Sequence, residues 1–212
     1  MSTPSLLSSL LASALATALL CACSSSTTSA TGDAGAPDTG TSTAALSCAD
    51  YCATLTANCT AANAQFGGLD RCLSSCKSYP VGAAADTSGN TLGCRTYHAG
   101  AAKADPVTHC VHAGPAGAGV CGANCDGYCQ IAMMYCTAAN KVYASLDECK
   151  TVCAGFPATA KYSANDMAIH EKKDVACLVY HVQEASTVPD DHCLGDLAKG
   201  DAGAPSVTCT AP

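Results

Sequence analysis

The apolar positions of this chain recur with a helical period, and most of them are cysteines. Cys48, Cys52, Leu55 and Cys59 stand at i, i+4, i+7 and i+11, one face of a helix, with small or polar residues between them. The pattern returns at Cys125, Cys129, Ala132 or Met133, and Cys136. Cys72 with Cys76, and Cys149 with Cys153, each share a face of a second helix. Ser145-Leu146-Asp147-Glu148 reads as a capping box in front of the later copy, and Gly68 or Asp70 opens the earlier one. Tyr79-Pro80 and Phe156-Pro157 stop these second helices, since proline lacks the amide hydrogen a helix interior needs. A third helix is expected over about 90–103, carrying Cys94, and over about 164–186, carrying Cys177. The stretches around Cys110 and Cys193 read as loop-rich, with short turns. Alternating Val/Ile/Thr runs are few, so the expected fold class is mainly α.

These elements come in two sets. The gaps between Cys48, Cys52, Cys59, Cys72, Cys76, Cys94, Cys110 and Cys121 are 3, 6, 12, 3, 17, 15 and 10 residues. Between Cys125, Cys129, Cys136, Cys149, Cys153, Cys177, Cys193 and Cys209 they are 3, 6, 12, 3, 23, 15 and 15. Five of the seven gaps agree, which implies an internal duplication: repeat 1 over residues 47–122 and repeat 2 over 123–212. The short link from Cys121 to Cys125 favours close contact between them.

The first 46 residues differ in kind. An apolar Ala/Leu/Ser segment ending near Leu20 has the layout of a secretory signal, expected over residues 1–22; it is short for a spanning helix and no charged flank follows. Leu20-Cys21-Ala22-Cys23 resembles the box that precedes the lipidated cysteine of bacterial lipoproteins, which implies acylation of Cys23. Ser24 after it implies, by the same resemblance, the outer membrane. Each buried methylene of such a chain adds about 0.8 kcal/mol of membrane affinity. Residues 23–46 then form a Ser/Thr/Gly/Ala/Pro-rich linker, too polar to bury a core, and read as a flexible, disordered tether.

The composition explains the cysteines. The chain has 18 of them, no Trp and two Phe, and much of its apolar content is Ala. A module of this size with small side chains gains little from burial and needs covalent staples. With Cys21 and Cys23 assigned to the leader and the anchor, sixteen remain for a disulfide framework, as expected outside the cytosol. No C-x-x-C pair occurs, against zinc ribbons and thioredoxin-type redox motifs. Eight cysteines allow about a hundred pairings per module. A hairpin turning near residue 65 opposes Cys59 to Cys72 and Cys52 to Cys76, leaving Cys48 for Cys94 and Cys110 for Cys121. The competing arrangement, Cys48–Cys76 nested around Cys52–Cys72, resembles twin C-x3-C hairpin proteins. The net charge of −7, with no basic cluster, argues against nucleic acid as a partner.

Besides cysteine, the copies share Tyr51/Tyr128, the runs Cys59-Thr-Ala-Ala-Asn63 and Cys136-Thr-Ala-Ala-Asn140, Tyr97-His98/Tyr180-His181 and His109-Cys110/His192-Cys193. The tyrosines read as wall residues whose hydroxyls find partners. Each Asn fits a helix C-terminal position. Two readings of the histidines stay open. His98 with His109, and His181 with His192, can be transition-metal ligands, with His112 or Asp105 as a third ligand in the first copy and Asp190 or Asp191 in the second. Alternatively they fill a small interior and bond loop backbone, because no HxxxH or HxH spacing marks chelation. No residue is assigned to catalysis or to an organic cofactor.

The framework C-x3-C-x6-C-x12-C-x3-C, with Leu92-Gly-Cys-Arg-Thr-Tyr-His98 and His109-Cys-Val-His-Ala-Gly114, resembles cysteine-rich lipoproteins of Gram-negative soil bacteria over roughly residues 20–195. That group has no established activity, so the resemblance implies compartment and duplication and transfers no catalytic residue. The function expected first is a lipid-anchored cell-envelope protein, a non-enzymatic binding or structural surface with an envelope or extracellular partner. A metal-binding or redox protein using the histidine pairs is the second expectation. A secreted hydrolase of the phospholipase type is the third, although Ala99 and Val182 stand where that chemistry wants Asp after His.

Overall fold

Among the described residues, eight α-helices build the body of the protein. The computed structural model describes residues 45–158, 161–169, 174–196 and Cys209. The N-terminal apolar segment, Cys21, Cys23, the linker to residue 44 and His170 lie outside the described residues. Helix α1 (Cys48–Asn58) starts where Ser47 Oγ accepts from the Asp50 amide at 3.1 Å. Helix α2 (Leu69–Cys76) starts at Gly68 and α3 (Leu92–Ala101) at Thr91, whose hydroxyl accepts from Cys94 N. Helix α4 (Pro106–Ala113) has Asp105 as cap and proline at its first position. The later half repeats the order with α5 (Asn124–Tyr135), α6 (Leu146–Cys153), α7 (Val175–Ala185) and α8 (Pro189–Asp196). At the Ser145 cap, Ser145 Oγ takes the Glu148 amide, while the Glu148 carboxylate reaches one residue further back and takes the Ala144 amide. Among the described residues there is no strand, so the protein is mainly α.

Three sequence expectations are corrected. The segments around Cys110 and Cys193, expected as loops with turns, are helices α4 and α8, each entered through a proline whose missing N–H costs nothing at a helix start. Helix α7 starts at Val175 rather than near 164, because Asp174 Oδ1 captures the Cys177 amide and ends the irregular approach. Asn63 and Asn140 do not end α1 and α5. Each closes a 3-10 turn, Ala61–Asn63 and Ala138–Asn140, whose first residue is left-handed, with φ of 52° and 51°.

The disulfides take the nested arrangement. Cys48–Cys76 and Cys52–Cys72 clamp α1 to α2, and Cys125–Cys153 and Cys129–Cys149 clamp α5 to α6. Antiparallel helices oppose the first turn of one to the last turn of the other, so cysteines four apart on each can pair only in this nesting. Cys59 and Cys136 lie beyond the hairpin contact, at the helix ends. They reach α4 and α8 as Cys59–Cys110 and Cys136–Cys193. Cys94–Cys121 and Cys177–Cys209 complete the set, so all sixteen are paired. Cys59–Cys72, Cys52–Cys76, Cys48–Cys94 and Cys110–Cys121 are thereby excluded. Each bridge contributes about 2–4 kcal/mol, chiefly by restricting the unfolded chain.

The described residues form one compact unit with one continuous core. Helix α7 lies at its centre, which explains why Val175, Cys177, Leu178, Val179, Val182 and Ala185 leave it apolar nearly all round. It packs against α5 and α8 of its own half and against α2 of the other. Polar links also cross between halves: Ala164 N to Ala64 O at 2.8 Å, Tyr135 OH to Ser74 O at 2.6 Å, and Arg71 to Glu184 at 2.5 Å. Tyr51 and Tyr128 are fully buried and satisfied. Tyr51 donates to Ala113 O at 2.7 Å, and the Tyr128 and Tyr143 hydroxyls meet at 2.7 Å. Among the described residues no helix is long and apolar enough to cross a membrane.

Candidate metal centre

Helices α3 and α4 bring three histidines together. His98 ends α3, while His109 and His112 stand three residues apart on α4, on one face. His98 Nδ1 lies 2.9 Å from His109 Nδ1, and one ligand nitrogen from each of the three rings falls within 4.8 Å of the others. The His98 and His112 rings meet edge to face at 4.9 Å between centroids, and those of His98 and His109 are tilted at 5.1 Å. His98 is 6% exposed; His109 and His112 are half-buried.

The backbone positions are held covalently. Cys94, one turn before His98, is bonded to Cys121; Cys110, between His109 and His112, is bonded to Cys59. Buried Arg95 braces the same two helices from behind. Its Nε donates to Gly114 O at 3.3 Å, and its guanidinium lies 3.9 Å over the Tyr79 ring. The loop before α3 supplies the remaining constraint. Asp86 Oδ2 accepts from Ala83 N and from Thr91 Oγ1, both at 2.9 Å, which sets the turn that presents the Thr87 carbonyl. Gly93 permits that loop to sit close, since a Cβ there would stand 1.9 Å from Ala83 O.

The Thr87 carbonyl decides the tautomer of His98. A carbonyl can only accept, so His98 Nε2, 3.1 Å away, carries the proton, and Nδ1 keeps its lone pair toward His109. The contact between the two Nδ1 atoms is then a hydrogen bond donated by His109. His112 Nδ1 is buried with no hydrogen-bond partner. Burial holds the His98 pKa below 6.5, partly offset by the Thr87 carbonyl and lowered further by His109. Burial lowers His112 as well, followed by repulsion from His98 and His109. His98 and His112 therefore keep lone pairs near neutrality, the form that binds metals.

Both pairs expected from the duplication are brought together, but differently. His181 and His192 face each other at 6.1 Å between centroids. Position 195, three residues past His192, is Gly where the first half has His112. Among the described residues, His181 groups only with Cys177 and Cys209, whose sulfurs are committed to a disulfide. Asp105 does not join the first cluster, because its carboxylate caps α4 through Thr108 N at 3.2 Å. Asp190 accepts instead from Asn140 Nδ2, and neither it nor Asp191 joins a ligand group. The sequence signal for the triad is the i, i+3 spacing of His109 and His112, which places two rings on one face once α4 is helical.

A small cleft of about 100 Å³ lies between the halves, lined by Val111, Ala116, Tyr162, Val175 and Val179. Lys161 at its edge turns its ammonium to Val107 O at 2.9 Å.

Fold and site together define a helical, disulfide-stapled protein with a histidine cluster on its first half. The chain belongs to the BfoA family: the model of the BfoA family C-terminal domain matches residues 11–124, more than half of the chain and ending where α5 begins. No curated protein and no solved structure matches it.

Proposed function

We infer that the chain is an exported, lipid-anchored protein of the cell envelope whose stapled helical body binds a partner or ligand and is not an enzyme. The observation that carries this reading is the complete pairing of sixteen cysteines into eight disulfides. Such a framework forms and persists in oxidising compartments and is rare in the reducing cytosol. The Leu20-Cys21-Ala22-Cys23 box and the polar linker support the anchor. They accord with the resemblance to cysteine-rich lipoproteins of Gram-negative soil bacteria, and Ser24 after Cys23 is what points to the outer membrane. On this reading the protein sits at the outer membrane through an acylated Cys23, with the body facing the periplasm or the surface, and the net charge argues against nucleic acid as its partner.

The test is metabolic labelling of the full-length chain with an alkyne fatty acid in a Gram-negative host, followed by fractionation. The wild type is expected to carry label and to sediment with outer membrane, and Cys23→Ser to be unlabelled and soluble. Equal labelling of both, or a cytosolic protein with free thiols, refutes the assignment. Substrate turnover abolished together by His98→Ala and His181→Ala would overturn the non-enzymatic part.

A further inference from the structure

The three histidines of the first half are arranged as ligands more than as packing. Simple filling of an interior leaves ring nitrogens bonded to backbone or water. Here one ring is fixed in tautomer by an outer carbonyl, a second is aimed at the first, and the third has a buried nitrogen with no partner. An outer carbonyl that holds the proton on the far nitrogen is the usual second-sphere support of a metal-bound imidazole. Metal–nitrogen bonds of about 2.0–2.1 Å in a tetrahedral site separate ligand nitrogens by roughly 3.3 Å. The observed 2.9 Å between His98 and His109 has to open slightly, and His112, within 4.8 Å, has to swing in. Side-chain rotation suffices for both changes, because disulfides hold the backbone beside each ligand.

Duplication supplies an internal contrast. The second half retains the equivalent pair, His181 and His192, yet has Gly195 where the third ring would stand. Two imidazoles alone hold a divalent ion weakly beside three, so the halves have diverged at the position that completes a site.

We propose that His98, His109 and His112 bind one divalent transition-metal ion of the zinc–copper class per chain, in the first half only, with water completing the coordination. The donor set selects these ions: imidazole suits Zn²⁺ and Cu²⁺, whereas Ca²⁺ and Mg²⁺ require oxygen ligands that this cluster lacks. Binding requires His109 to shift its single proton from Nδ1, where it is donated to His98, to its outer nitrogen Nε2, so the ring stays neutral and its Nδ1 lone pair faces the ion.

The experiment is isothermal titration of the full oxidised chain, stripped of metal, with Zn²⁺ and separately with Cu²⁺. It is joined by electron paramagnetic resonance of the copper form to count coordinated imidazole nitrogens. Expected are one ion per chain at micromolar affinity or better and a three-nitrogen copper signal. His112→Gln is expected to lose at least ~10-fold in affinity, the low end of what metal-site changes cost. His192→Gln is expected to bind as the wild type does. Intact mass showing eight disulfides confirms that each variant has folded. Absence of micromolar binding by either ion overturns the proposal. So does a stoichiometry of two, or an unchanged affinity in His112→Gln. The lipid-labelling experiment reads an independent property, so either conclusion can fail alone.

Discussion

The ion pair between Arg71 on α2 and Glu184 on α7 ties the two halves together, and its removal gives a quantitative test of their union. The Arg71 Nη2–Glu184 Oε2 distance is 2.5 Å, with side chains 27% and 11% exposed. Asp70 Oδ1 also stands 3.6 Å from Arg71 Nη1, but its side chain is 64% exposed and adds little. At about 4 Å between charge centres and an effective dielectric near 20, the gross attraction is about 4 kcal/mol, much of it offset by desolvation. A hydrogen bond to a charged group nets about 1.5–3 kcal/mol. Glu184→Gln keeps an acceptor for Arg71, which retains Asp70 and some solvent, so a loss of about 1–2 kcal/mol is expected. Arg71→Gln strands the more buried carboxylate and should cost about 2–3 kcal/mol. The double variant should cost less than the two single ones together, leaving a coupling of at least ~1 kcal/mol. Urea unfolding of the full chain with disulfides intact measures all four corners. Repeating it at high salt should change the coupling little, because the pair is shielded from the ion atmosphere. A coupling near zero, or Glu184→Gln proving worse than Arg71→Gln, would refute this account of how the halves are joined.

Two further outcomes follow from the backbone and from the cluster. Ala61 and Ala138, both left-handed with φ near 50°, occupy a conformation costing an L-residue about 1–2 kcal/mol. Glycine there loses some unfolded-state advantage, so Ala61→Gly and Ala138→Gly should each stabilise by about 0.5–1 kcal/mol and add when combined; destabilisation by both would contradict the geometry. For the metal-free protein, burial lowers the pKa of His98 and His112 below 6.5. The unfolded chain therefore takes up these protons first, so stability is full above about pH 6.5 and declines as the pH falls through the lowered folded values. The urea midpoint should be lower at about pH 5.5 than at about pH 7.5, with a smaller difference in His112→Gln. Identical midpoints would show that these rings do not resist protonation.

Much of the helical framework is legible in residue order, since the signals are local. Ser47, Thr91 and the Ser145 box cap their helices, Pro80 and Pro157 end the hairpins, and the i, i+4 cysteines mark buried faces. Helices α4 and α8 carry a start signal at Asp105-Pro106 and Val188-Pro189, yet these segments read as loops, because a proline among small polar residues resembles a turn as readily as a first helical residue. That ambiguity left His112 and Asp105 as alternative third ligands, because the spacing of His109 and His112 has meaning only on a helix.

The sequence alone determined the repeated cysteine spacing, the helical class and the pairing of His98 with His109 and of His181 with His192, all of which rest on spacing along the chain. Tertiary structure decided which sulfurs bond, that both halves share one core around α7, and that three rings meet in one half and two in the other. These depend on where helix ends arrive in space. The antiparallel packing of α1 on α2 nests their cysteines, while the crossing of α3 and α4 and the carbonyl of Thr87 orient His98. No local pattern encodes a contact between residues whose approach is set by the packing of several helices at once.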